Sequence, residues 1–259
     1  MGEGSRTDRG FLPIRTTSAS LRPLKASEGV ARDIVDDIVV KALREGDSLP
    51  AESAMLQQYS VSRETLREAL RLLEVQGLIS IRRGPGGGPI VGALDPANLG
   101  RVSTLYYHLA GATYAELFDA WVVCEPIIAE LAAGNPDRAE VRSAMAPYLD
   151  VHGPEDESLS KFVVRHSEFH TIVGTLARNK VLQLSLMATG QIVTHHVINH
   201  ADPRDARNTI EHDHSAIAQA ITSGHRAKSR RLMQEHIQGI IDLYQSTIGD
   251  RMHDYIGWR

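Results

Sequence analysis

Apolar positions along this chain keep a helical period almost everywhere, with one short exception. From Ser27 onward Val30, Ile34, Ile38 and Leu43, with Val35 and Val39 beside them, form a stripe broken by Arg32, Asp33, Asp36 and Asp37. Side chains one turn apart share a face, so the segment predicts an amphipathic helix ending at Gly46. A short helix is expected after Pro50 and another from near Ser62, where Leu66, Ala69, Leu70 and Leu73 share the apolar face. Then the period changes. Residues 79–81 and 89–91 are short extended runs around an Arg-Arg-Gly-Pro-Gly-Gly-Gly stretch, the pattern of a β-hairpin.

The helical period returns in six segments, 114–133, 137–150, 159–177, 181–197, 204–222 and 227–248. Breakers separate them at Gly134 and Pro136, Gly153 and Pro154, Asn179, Asp202 and Pro203, and Gly224. No short repeat is present, which argues against a solenoid. The expected division is an arm over 1–26, a helix-helix-helix-strand-strand domain over 27–92, and a linker over 93–112 with a short helix. An all-helical domain over 113–249 and a tail over 250–259 complete it. The fold class expected is mostly α: an N-terminal winged helix-turn-helix with a small β-hairpin wing, then an all-α bundle.

Composition narrows the setting. The 259 residues are 42% hydrophobic and 23% charged, which suits a globular protein with a sizeable core and excludes a largely disordered one. A single cysteine, Cys124, excludes a disulfide framework and a multi-cysteine zinc fold. The start of the chain lacks the apolar stretch of a secretory signal, and no run is apolar enough for a membrane span. A cytoplasmic location is expected. Net charge is −4, with 13 basic and 12 acidic residues over 1–92 against 15 and 20 over 93–259. A nucleic-acid contact must therefore use a local basic patch.

Such a patch is present. Arg63 and Arg67 lie one turn apart on the polar side of the helix that starts near Ser62, a natural N-cap. An arginine fork matches a guanine edge or a phosphate, and Thr65 offers a hydroxyl or a methyl beside it. Arg82 and Arg83 stand at the hairpin turn, where glycines allow close approach to a duplex. A solvated amphipathic helix followed by a loop is the plainer reading of any one piece. The helix pair, capped second helix and Arg-tipped hairpin in this order favour DNA.

The segment resembles the DNA-binding domain of the GntR regulator family. Leu49-Pro50-Ala51-Glu52, the run from Val61 through Leu70, Leu73, Gly77-Leu78-Ile79 and the Gly-rich wing carry the likeness. It implies that Ser62, Arg63, Thr65, Arg67, Arg82, Arg83 and Gly84 face DNA. Ser53 departs from the pattern, since arginine is common there, and the three glycines at 86–88 loosen the wing.

Histidines dominate the candidate chemistry of the second half. His166 and His170 lie four residues apart on one helical face; His212-Asp213-His214 and Glu235-His236 lie on later helices. A bundle can bring such side chains to one point, as a divalent metal requires, and imidazole suits zinc, nickel, iron or copper. Histidines spread over helix surfaces are an equal alternative, and His195, His196 and His200 are just as conspicuous.

Residues 113–245 resemble the FCD domain of FadR-type GntR regulators. Glu116-Leu117-Phe118, Glu125-Pro126, Phe169-His170, Asn179, His214 through Ile217, and Met233 through Ile237 carry that likeness. It implies a divalent metal, with zinc or nickel the leading candidates, held by His170, His214 and His236. The acidic ligand usual in the family is replaced here by His166. Three outcomes are open: a fourth imidazole ligand, approach of Glu125, or a weakened site. Trp121 stands where the family often has arginine, which points to a less anionic effector or simply to a packed tryptophan.

Together these readings imply a cytoplasmic, homodimeric, ligand-responsive regulator. Its partners would be a double-stranded DNA operator and a small effector, an organic acid being one candidate, with Trp121 and Glu125 in the effector pocket. It would be no enzyme. A metal-dependent hydrolase using Glu125, Glu168 or Glu211 as base and an effector-free DNA-binding scaffold are the competing classes.

Overall fold

The computed structural model describes residues 11–14, 23–84, 86–150, 153–154, 156–197 and 202–258. Ten α-helices and one two-stranded antiparallel sheet lie among them. The described residues divide into two compact units, one over 23–98 and one over 99–258 together with 11–14.

In the first unit α1 (Ala26–Val40), α2 (Glu52–Tyr59) and α3 (Arg63–Val75) precede β1 (Ile79–Arg82) and β2 (Gly88–Val91). Val30, Ala31 and Ile34 of α1 meet Met55 of α2, the Leu66, Ala69, Leu70 and Leu73 face of α3, and Ile79 and Val91 of the hairpin. Apolar burial on this one face explains why three short helices hold together. α1 stops at Val40, not at Gly46. Ala42 turns the chain with a φ of 51°, and the Leu43 amide donates to the Ile38 carbonyl at 3.0 Å, folding Leu43 back against the core. Local packing, not a glycine, ends the helix.

β1 and β2 pair in register from Ile79 opposite Val91 to Arg82 opposite Gly88. A third extended piece, unforeseen from periodicity, lies along β2: Leu49 donates to the Pro89 carbonyl and Val91 to that of Asp47, both at 2.9 Å. The wing turn needs its glycines, because a Cβ at Gly87 would sit 2.3 Å from the Arg82 carbonyl oxygen.

The second unit contains most of α4 (Pro96–Ala110), then α5 (Tyr114–Ala133), α6 (Arg138–Met145), α7 (Leu159–Leu176), α8 (Lys180–Val197), α9 (Arg207–Thr222) and α10 (Arg226–Ile248). The stretch expected as a linker with a short helix is thus largely the 15-residue α4. A capping box of Thr113 and Glu116 starts α5, whose Leu117, Phe118, Trp121, Ile128 and Ala129 are buried among α7, α8, α9 and α10. Arg138 fastens two helix ends, donating to the Ala133 carbonyl of α5 at 3.1 Å and the Ile221 carbonyl of α9 at 2.8 Å.

The stretch expected as a tail folds back: Met252 and Ile256 are buried, and the Ile256 amide donates to the Ala112 carbonyl at 2.9 Å. Of the expected arm, residues 1–10 and 15–22 lie outside the described residues. Phe11 packs against Tyr255 with ring centroids 4.4 Å apart. No described helix is long and apolar enough to cross a membrane.

Candidate functional site

Two surfaces combine the residues singled out above, one in each unit. In the first, α3 opens at Ser62, whose hydroxyl accepts from the Thr65 amide at 3.2 Å and lies 2.9 Å from the Thr65 hydroxyl. That cap satisfies one amide of the first helical turn. Burial of Leu66, Ala69, Leu70 and Leu73 turns the opposite side of α3 outward. Ser62, Arg63 and Arg67 are exposed there, while Thr65 is half-buried. Arg67 Nε lies 3.4 Å from Glu52 Oε1 on α2, with the arginine side chain 69% exposed, so the pair contributes little to stability and leaves the guanidinium reachable. Arg82, Arg83 and Gly84 are exposed at the wing, and Ser53 is exposed on α2.

The second surface is internal. His170 of α7, His214 of α9 and His236 of α10 bring one ligating atom each to within 4.8 Å of one another, His214 and His236 being buried and His170 half-buried. His214 Nε2 lies 3.1 Å from His236 Nε2. The other ring nitrogen of His236 lies 3.2 Å from Asp213 Oδ2, a contact that places its proton on Nδ1 and its lone pair on Nε2. Two nitrogens bound to one ion at about 2.0–2.1 Å sit about 3 Å apart, so the Nε2 pair has a chelating separation.

His166 lies beside the cluster: its Nδ1 is 3.4 Å from His214 Nδ1, whereas His214 and His236 approach each other through their Nε2 atoms. Phe169 stacks on the His214 ring at 3.9 Å, and Phe162 lies 4.0 Å from the His166 ring. Glu125 of α5 accepts from the Trp121 indole at 3.2 Å, and the same oxygen lies 3.4 Å from His170 Nδ1 without hydrogen-bond geometry. His166 Nε2 and His170 Nδ1 are buried with no hydrogen-bond partner among the described residues. Such orphaned atoms need an explanation, and a cation beside the cluster supplies one for His170. The donor set fits a divalent metal.

Burial disfavours the charged form of three of these rings, His166, His214 and His236. Burial, then Arg165, pushes His166 down to about 3. His214 is driven well below its ordinary value by burial and by His236. Burial also lowers His236, with Asp213 opposing. Burial raises the Glu125 carboxyl, but His170, Trp121 and His236 together outweigh it and hold the group below the usual glutamate range. Neutral imidazole and ionised carboxylate are the forms that ligate metal.

His166, His170 and His214 open onto a cavity walled by α5, α7, α8, α9 and α10. Trp121 and Glu125 line it, as expected for an effector pocket, and so do His166, His170 and His214. Periodicity did not single out Tyr244, Phe162 or Asp213. Ile240, Leu243 and Tyr244 line the cavity one and two turns after His236, a continuation legible on α10 once His236 is taken as its marker. Glu211 is committed elsewhere, accepting from Arg165 at 2.7 Å, and Glu168 is exposed; of the three carboxylates considered as bases only Glu125 reaches the histidines. His200 and the side chains of His195 and His196 lie outside the described residues.

Comparison with known proteins agrees with this division. The model of the gntR family of bacterial regulatory proteins matches residues 26–87, and that of the FCD domain matches residues 116–239. The chain is 23% identical over 231 residues to the HTH-type transcriptional repressor NanR of Citrobacter rodentium (strain ICC168), covering 85% of this chain and 86% of that one. It is 25% identical over 236 residues to the Exu regulon transcriptional regulator of Escherichia coli (strain K12), covering 88% of each. Among solved structures, Streptococcus agalactiae GntR has the same fold, with a TM-score of 0.57 at 20% identity over 83% of this chain and 98% of that one.

Proposed function

This chain belongs to the GntR family of bacterial regulators and carries an FCD domain, and from that premise we propose a homodimer whose operator affinity is set by a small effector bound beside a divalent metal ion. The family and the relatives it matches are transcription regulators, not enzymes, so the hydrolase alternative falls. The observation that supports the effector reading is the convergence of three imidazoles, two of which, His170 and His214, line a largely apolar cavity.

On the DNA side, Arg63, Thr65 and Arg67 would read base edges from the major groove, with Ser62 at the helix start against phosphate. Arg82, Arg83 and Gly84 would hold the neighbouring groove. Two winged units on a dimer would read two related half-sites. On the effector side, His170, His214 and His236 would hold the metal, zinc or nickel being suited to imidazole, with Asp213 fixing the tautomer of His236. A bound metal supplies a Lewis-acidic anchor for an oxygen-bearing ligand. Differential affinity of that ligand for two arrangements of the winged units would shift operator affinity by about 1–3 kcal/mol.

The test is operator binding by the full chain across a salt series, with and without added zinc. Specific affinity should fall steeply with salt, as counterions are released from phosphate. Arg63→Ala should lose about 1–3 kcal/mol of specific binding if that side chain reads a guanine. Binding indifferent to salt and to sequence would refute the DNA assignment. Operator affinity unmoved by every ligand that fills the cavity would leave the scaffold class instead.

A further inference from the structure

Resting on that reading of the cavity as the effector site, we propose that its ligand is a monocarboxylate with an apolar body, selected against dicarboxylates and polyhydroxy acids. The argument begins with charge. No lysine or arginine stands among the described residues lining the cavity. The nearest guanidiniums, Arg165 and Arg207, lie behind Phe162 with their charge centres 5.5 and 4.9 Å from its ring. Both are already paired: Arg165 with Glu157 at 2.8 Å and Glu211 at 2.7 Å, Arg207 with Glu157 at 3.4 Å. They offer nothing to a second ligand carboxylate, which would enter a site whose own fixed charge is the buried Glu125.

One anionic head is different. Imidazole ligands add no negative charge to a divalent ion and Glu125 offsets only one unit of it, so a single carboxylate facing the ion is electrostatically favoured. Tyr244 lines the same space, and burial pushes its pKa up to about 12, so its hydroxyl keeps its proton.

Part of the polar lining elsewhere is spoken for, and Ser167, Gln191 and Thr194 make up the rest of its neutral hydroxyl and amide groups besides Tyr244. The Trp121 indole is given to Glu125, the Thr171 hydroxyl donates to the Ser167 carbonyl at 2.9 Å, and the Gln183 amide donates to the Thr175 hydroxyl at 2.8 Å. Around them Phe162, Leu186, Val193, Ile210 and Leu243 present hydrocarbon. A hydroxyl-rich body would lose its water and meet only a few polar side chains in return, whereas an alkyl body gains from the same burial. Trp121, buried and packed beside Phe118 at 6.3 Å, adds to that wall.

Three six-carbon acids isolate the claim: hexanoate, adipate with a second carboxylate, and gluconate with added hydroxyls. Calorimetry on the zinc-loaded full chain at two temperatures should show hexanoate binding at least tenfold tighter than either, with a negative heat-capacity change. Gly190 lines the cavity on α8, and a Cβ added there meets nothing within 4 Å. Gly190→Leu should therefore weaken hexanoate at least tenfold with zinc content unchanged, while Gly190→Ala, also helix-compatible, stays near wild type. Adipate or gluconate matching hexanoate overturns the proposal, as does hexanoate binding untouched by Gly190→Leu. If none of the three binds to protein that holds zinc and recognises its operator, the ligand class is wrong and the regulator reading stands. If zinc is not held either, the reading of the cavity itself fails.

Discussion

The recognition helix and the histidine cavity use polar side chains in opposite ways. On α3 the arginines stand in water, backed by an apolar face, and every residue of the surface comes from one turn-and-helix segment or the hairpin close after it. In the cavity the polar atoms are buried, and Glu125, His170, His214 and His236 arrive from four helices far apart in the sequence. An exposed arginine costs little while it waits for phosphate. A buried imidazole without a partner costs stability continuously and is tolerated only where its neighbours, or an ion, compensate. The two surfaces should therefore fail independently, and by different physics.

The largest expected effect lies in the cavity. His214→Ala removes one of three converging nitrogens and should lower metal affinity by about a hundredfold or more, since even outer partners of ligands are worth about 10–100-fold. His166→Ala should fall in that lower band if His166 only orients the His214 ring, as its 3.4 Å Nδ1 contact implies. Metal content measured after dialysis against graded chelator separates the two roles. Specific operator binding in the absence of effector should survive both substitutions; its loss would break the independence of the two surfaces.

Acid offers the next sharpest contrast. All twelve histidines lie from His108 onward, so the winged domain contains none. In metal-free protein, His166, His214 and His236 all bind protons more weakly in the folded chain than unfolded histidines near pH 6.5 do. Below that pH the unfolded chain takes up more protons, so stability falls as pH falls, by up to about 1.4 kcal/mol per unit for each ring that stays neutral. For His166 the loss runs from about 6.5 towards about 3. Both tryptophans, Trp121 and Trp258, belong to the helical unit, so their fluorescence reports its unfolding alone. Between pH 7 and 5.5 the fluorescence melting temperature should drop. A flat profile would mean the rings are not buried in neutral form.

These contrasts also explain what periodicity could and could not reveal. Helix starts at Tyr114 and Leu159 agree with the predicted ones because Thr113 and Ser158 cap them locally. The end of α1 was misplaced, because Leu43 is pulled back by tertiary packing that no local signal announces. Likewise the extended piece at Gly46–Leu49 exists only through pairing with β2, and the final turn near Ile256 only through its burial against the bundle. On the DNA face, one amphipathic helix displays its outward residues directly. In the cavity, spacing placed His166 and His170 on one face but could not say which ring points inward. That depends on how α7 is rotated against α9 and α10. Tyr244 escaped for the same reason, and Asp213, visible beside His214, had no role assigned, because both are defined by neighbours on other helices.

The smallest effect tests the exposed surface by its scaffold instead of its charges. Ser62→Ala deletes the hydroxyl that accepts from the Thr65 amide at 3.2 Å, leaving that donor to water. Loss of such a cap typically costs about 1 kcal/mol. Because the cap lies at the start of α3, the cost should appear in unfolding of the winged domain, followed by far-UV circular dichroism in urea, and the tryptophan signal should not move. Asp is the informative second substitution. Ser62→Asp restores an acceptor for the Thr65 amide and suits the positive end of the helix, so stability should recover. It also puts a negative charge where phosphate is expected, so operator affinity should not recover with it. Recovery of both would mean that the start of α3 does not face the duplex, and the division of labour between cap and guanidinium on this helix would have to be redrawn.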